Sequence, residues 1–152
     1  MFQSFRVSEF QYTGDNKPEF NKDNMTVQRF EDLEIWKNAR ELCRKIRDIS
    51  DSGSLGKDYS LKDQILRSCG SCMDNIAEGY ERDGKKEFLQ YHYISKGSLG
   101  ETRSQVHRCS DAHHLTEDQY SSLLNDCLNL SAQIKKFINY LAESEYEGHK
   151  KR

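Results

Sequence analysis

The 152-residue sequence contains one proline, Pro18, and none after it. Everything beyond residue 18 is therefore free of the strongest helix breaker. Long hydrophobic runs are also missing. No segment approaches the roughly 18 apolar residues that a membrane-spanning helix needs, and the mean hydropathy is −0.94. The opening segment, MFQSFRVSEFQYTGDNKPEF, has no apolar stretch and carries Glu9 and Asp15. It does not read as a secretory signal, so a cytoplasmic location is expected. No glycine-rich phosphate loop, nucleophile elbow or H-E-x-x-H motif occurs. The helical segments hold no Glu-x-x-His pair, which a di-iron centre inside a helical bundle would require. Net positive charge is absent too: the formal charge is −2 and the isoelectric point about 6.2. That excludes a protein coating nucleic acid by overall charge, but leaves room for a basic stripe on one face.

Charged residues reach 32 % and hydrophobic residues 35 %. Many charges with a small apolar share suit thin amphipathic helices better than a wide buried sheet. Residues 1–28 show no helical period, with Phe2, Phe5, Phe10, Tyr12 and Phe20 scattered among polar residues. They read as a largely irregular extension. Helical spacing then predicts four helices. The first runs from about Phe30 to Ser50, with Leu33, Trp36, Leu42, Cys43, Ile46 and Ile49 on its apolar side. The second runs from about Ser60 to Glu78, carrying Ile65, Cys69, Cys72 and Ile76, with Gly79 placed to close it as a left-handed residue. The third spans about Lys85 to Ala112 and marks its buried side with Phe88, Tyr91, Leu99, Val106 and Cys109. Gly97 and Gly100 lie inside it at a propensity cost of up to about 1 kcal/mol each, so close approach of a neighbouring helix or subunit is expected there. The fourth opens at a T-x-x-Q capping box, Thr116 and Gln119. It keeps a two-position seam to about Glu143: Tyr120, Cys127, Ile134 and Leu141, beside Leu123, Leu130 and Phe137. Short links make the expected fold an all-α, antiparallel up-down-up-down four-helix bundle over residues 29–144, followed by a polar tail over 145–152.

The five cysteines, Cys43, Cys69, Cys72, Cys109 and Cys127, are an odd number in a chain read as cytoplasmic, which points to free thiols. Cys69-Gly-Ser-Cys72 is a C-x-x-C, a spacing used by redox pairs and metal sites. Both cysteines fall on an apolar helix stripe with no preceding strand, where buried cysteine acts as a small hydrophobe. His107, Cys109, His113 and His114 cluster near the end of the third helix, without a recognised zinc spacing. No metal, cofactor or catalytic residue is assigned.

One pattern suits nucleic acid. On the first helix Lys37, Arg40, Arg44 and Arg47 recur at three- and four-residue steps, forming one cationic stripe that phosphates would reward through counterion release. The same helix carries as many acids as bases. Lys37 and Arg44 each stand within pairing distance of Glu41, so a solvated, self-neutralised face is the competing reading. Lys96 and Arg103, seven apart on the third helix, are secondary phosphate candidates.

Four segments together carry a resemblance: Phe30-Glu-Asp-Leu-Glu-Ile-Trp36, Asp74-Asn-Ile-Ala-Glu-Gly79, Lys86-Glu-Phe-Leu-Gln90 and Lys96-Gly-Ser-Leu-Gly-Glu-Thr-Arg-Ser-Gln105. In this order, over roughly residues 30–144, the chain resembles the bacterial 23S rRNA intervening-sequence proteins, once labelled S23 ribosomal protein. The resemblance implies a four-helix bundle that assembles as a homopentameric ring and is not an enzyme. A related branch, the accessory variability determinant of diversity-generating retroelements, binds nucleic acid and its reverse transcriptase through a basic ring surface. RNA or a reverse-transcriptase-type partner is therefore an expected partner class, and a membrane is not. The motif residues Asn75, Glu78, Gly79, Gly97, Gly100 and Glu101 read as structural. A protein–protein scaffold that binds no nucleic acid is the alternative.

Overall fold

The computed structural model describes residues 5–6 and 26–144. Most of the expected 1–28 extension, and the whole 145–152 tail, lie outside these described residues. At the N-terminal side β1 (Phe5–Arg6) pairs antiparallel with β2 (Thr26–Val27), Phe5 opposite Val27. The Val27 side chain is buried and joins the core. A single 3₁₀ turn at Phe30–Asp32 leads in. Four helices follow: α1 (Glu34–Ser52), α2 (Tyr59–Glu81), α3 (Lys85–Asp111) and α4 (Glu117–Glu143). The all-α bundle expected from the sequence is the observed fold.

Each helix forms where an apolar stripe meets a defined start or stop. In α1 Ile35, Ala39, Leu42 and Ile46 are buried at three- and four-residue steps. Asp58 starts α2: its carboxylate accepts from the Leu61 N–H at 3.3 Å. The capping box of α4 forms in full. Thr116 Oγ1 accepts from Gln119 N at 3.1 Å, and Gln119 Oε1 accepts from Thr116 N at 2.9 Å. The expected α4 seam is buried from Leu123 through Leu141, with Ile138 as an added member. Tyr120 is half-buried at its start.

Two helix stops are made by non-glycine residues at positive φ, Asp83 (63°) and His113 (60°). At the end of α3, His113 N donates to Ser110 O and His114 N to Cys109 O, both at 2.9 Å, which closes the turn in a Schellman arrangement. Gly79 is therefore not the left-handed stop of α2. The helix continues through it to Glu81, and Asp83 takes that role. Gly79 is buried, and an added Cβ would lie 2.7 Å from Tyr91 Cβ and 3.3 Å from Phe88 Cδ2. Its lack of a side chain lets α3 come close to α2.

The helices pack in ring order. Each of α1 and α3 rests on α2 and α4, and α1 and α3 stand diagonally across the bundle. The core between them holds Leu33, Ile46, Ile65, Ile76, Leu99, Val106, Ile134 and Leu141.

Candidate nucleic-acid interface

Helical geometry sets the candidate face. With Ile35, Ala39, Leu42 and Ile46 turned inward, Lys37, Arg40, Arg44 and Arg47 point outward from α1, and all four are exposed. The stripe read from the sequence exists as a surface. Its charges are partly engaged. Lys37 Nζ lies 3.2 Å from Glu34 Oε1, and Arg44 Nη1 3.6 Å from Glu41 Oε2. The pairing of Lys37 with Glu41 suggested by spacing is thus replaced by two three-residue pairs. Arg40 lies over the Trp36 ring at 5.6 Å, a cation–π contact that leaves its edge in water. Trp36 is in turn fixed edge-on by Phe30 at 5.1 Å. Arg47 makes no ion pair among the described residues. Glu34, Glu41 and Asp48 recur every seven residues along the border toward α4, so the cations run beside an acidic row.

The remaining candidate cations are elsewhere. Lys96 and Arg103 lie on α3, diagonal to α1, and one chain does not bring them to the same surface as the stripe. They border a different strip. Tyr93, Gly97, Gly100 and Ser104 share the outward line of α3, with Ile94 and Glu101 on one side and Lys96 and Arg103 on the other. Tyr93 is 56 % exposed and Ile94 44 %. An added Cβ at Gly97 or Gly100 would meet nothing within 4 Å. No described helix of the same chain makes the close approach expected at these glycines, because their side of α3 faces outward. Sequence reading counted apolar residues inward and did not single out Tyr93 and Ile94 as an exposed pair. Their spacing against the buried Phe88, His92, Ser95 and Leu99 was the available signal.

The motif residues have local partners. Asn75 Nδ2 donates to Ser71 O at 2.7 Å and Ser71 Oγ at 3.0 Å. Glu78 accepts from Arg82 at 2.8 Å and from the Tyr91 hydroxyl at 3.1 Å. These bonds hold its carboxyl below the usual carboxylate range, the Arg82 contact contributing most. Glu101 accepts from Gln105 at 3.3 Å rather than from Arg103.

The Cys/His residues do not converge on an ion. His114 bridges Ser54 Oγ at 2.8 Å and Asp58 at 2.9 Å, tying the first loop to the end of α3. His107 meets the Tyr120 hydroxyl at 2.8 Å, and Cys109 is buried. Among the described residues no three His, Cys, Asp or Glu side chains group as metal ligands. No described helix is long and apolar enough to cross a membrane.

A family model described as 23S rRNA-intervening sequence protein matches residues 31–136. A crystal structure of a protein of unknown function from the S23 ribosomal protein family of Bacteroides thetaiotaomicron superposes with a TM-score of 0.62. It is 21 % identical, and the match covers 68 % of this chain and 97 % of that one. At that identity the likeness concerns the fold. No curated protein matches the chain.

Proposed function

Because the chain belongs to the 23S rRNA-intervening sequence protein family, we propose that it is a non-enzymatic helical bundle that self-associates and binds a phosphate backbone through α1. The observation that carries this reading is the diagonal placement of two faces. The exposed strip of Tyr93, Ile94, Gly97 and Gly100 lies on α3, and the cationic stripe lies on α1. Association through α3 leaves the stripe of every copy facing outward. In a closed ring, of five copies as the family resemblance implies, the stripes repeat by symmetry and bring together more cations than the single stripe of one copy supplies. Backbone contacts of this kind are strong at low salt and indifferent to sequence. The ligand is then RNA or a nucleoprotein such as a reverse transcriptase with its nucleic acid.

The test is titration with a structured RNA at low salt. Arg40→Glu together with Arg47→Glu removes two contacts, which lowers the slope of log affinity against log salt by about 2. No binding at low salt, or binding unchanged by the reversals, overturns the nucleic-acid part. Sedimentation separates the two halves of the proposal: Gly97→Glu should disperse the assembly while leaving the α1 stripe of each copy intact.

The scaffold reading is favoured by a specific observation, the pairing of Lys37 with Glu34 and of Arg44 with Glu41. Pull-down of one protein that is unaffected by nuclease treatment would support it.

A further inference from the structure

The four cations of α1 are not equivalent. Lys37 and Arg44 are paired with acids of their own helix, whereas Arg40 and Arg47 make no ion pair among the described residues. The two kinds also lie on different lines. Trp36, Arg40, Cys43 and Arg47 follow one another at steps of four, three and four, so they share one flank of the helix. It is the flank opposite Asn38 and Lys45, the residues that reach α4. Lys37 and Arg44 stand between this line and the acidic row of Glu34, Glu41 and Asp48. The unpaired cations therefore run beside the tryptophan, on the side of the stripe away from that row.

The line begins on an aromatic platform. Trp36 is half-buried and packs on the core, and the Phe30 ring holds it edge-on at 5.1 Å. The Arg40 guanidinium lies over the indole, 5.6 Å from its centre. Arg40 is exposed, so the other side of its plane is open to solvent. A planar cation held over a fixed ring suits a flat, polarisable partner, and guanidinium planes stack on nucleic-acid bases as aromatic rings do. Arg47 stands roughly 10 Å further along the helix axis, within reach of the neighbouring backbone. A duplex offers phosphates but keeps the faces of its bases stacked inside. An unpaired nucleotide presents a base face and a phosphate together.

We infer that the Trp36–Arg40–Arg47 line takes an unpaired nucleic-acid strand, with one base stacked on Arg40 above Trp36 and the adjoining backbone on Arg47. This rests on the phosphate-binding reading of α1 and narrows it. It also runs against charge alone. A duplex carries about one charge per 1.7 Å of axis, twice the density of one strand, so a purely electrostatic stripe favours the duplex.

Trp36 is the one tryptophan of the chain, and its emission reports on this site directly. The full chain is titrated at low salt with a short purine-rich RNA strand and, separately, with the same strand annealed to its complement. The expected result is quenching of Trp36 emission by the single strand, little change with the duplex, and tighter binding of the single strand by about five-fold or more. Arg40→Lys keeps the charge and removes the planar face. Its affinity for the single strand should fall about five-fold or more, the least that one stacked base contributes, and the preference over duplex should go with it. Duplex binding as tight as single-strand binding, or an Arg40→Lys chain that keeps the parent's preference, overturns this inference and leaves the phosphate reading of α1 standing. Binding of neither RNA overturns that reading and this one with it.

Discussion

The seam between α2 and α3 and the seam between α1 and α4 are both stitched by polar side chains, yet they are built on opposite principles. Between α2 and α3 the groups are short and sheltered. Ser68 Oγ meets Thr102 at 2.8 Å and Gln105 at 2.5 Å, Ser71 meets Ser98 at 2.9 Å, and Ser95 donates to the Cys72 carbonyl at 2.7 Å. Gly79 lets the Tyr91 Cβ and the Phe88 carbonyl close in. Between α1 and α4 the groups are long and wet. Asn38 reaches Gln133 at 2.8 Å and Lys45 reaches Asp126 at 2.7 Å, across a cleft of about 220 Å³. Short side chains bring backbones together and remove their hydroxyls from water, so each hydroxyl must find a protein partner. Long side chains span a gap that water fills, and their bonds replace water bonds at little net gain.

The largest expected effect tests the one buried side-chain polar atom among the described residues that lacks a partner. His92 is 0 % exposed, wedged between Phe88 at 4.5 Å and Phe137 at 4.9 Å. Its Nδ1 bonds Phe88 O at 2.7 Å, while Nε2 has no hydrogen-bond partner. Burial lowers its pKa to about 4. The unfolded chain, with histidine near 6.5, binds more protons between those values. Its contribution is therefore intact above about 6.5 and lost as pH falls to about 4, a total of about 3 kcal/mol. Urea unfolding at stepped pH should show this limb, and His92→Leu should flatten it. Below it, Asp58 is held down chiefly by the His114 bond. Its stabilisation persists above the unfolded carboxylate value and is lost as pH drops through the lowered one.

Next in size come substitutions in the sheltered seam. Ser68→Ala leaves Gln105 and Thr102 short of a partner and should cost about 1–3 kcal/mol. Gly79→Ala drives a Cβ against Tyr91 Cβ, which is fixed to its backbone. The overpacking cost of about 1–3 kcal/mol should outweigh the gain in helix propensity. Equal stability for either variant and the parent in urea would break the comparison. Gly97→Ala and Gly100→Ala have the opposite sign: in open space each should raise monomer stability by up to about 1 kcal/mol. If the α3 strip is the association surface, sedimentation should show weaker self-association in the same variants. The smallest effect belongs to the wet seam, where Lys45→Ala should cost less than about 1 kcal/mol and fade with added salt.

Much of this was legible in advance, and the misses share a cause. The α4 capping box and its seam are local and periodic, so Thr116, Gln119 and the Leu123–Leu141 stripe were readable. The cationic stripe of α1 was readable for the same reason. Gly79 was misplaced because a glycine near a helix end looks like a stop, and only Tyr91 of α3 explains it. His92, Ser95, Thr102 and Gln105 are buried polar residues that an apolar count passes over.

The sequence alone determined that there are four helices, roughly where each begins and ends, and which residues of α1 share its cationic face. Helical period and capping act over a few residues, and the chain writes them out in order. Tertiary structure decided which helices are adjacent, which polar groups are sealed together, and that the exposed strip of α3 lies diagonally across from the stripe of α1. Those relations depend on packing between residues distant in the chain, where burial rather than local propensity sets the energy.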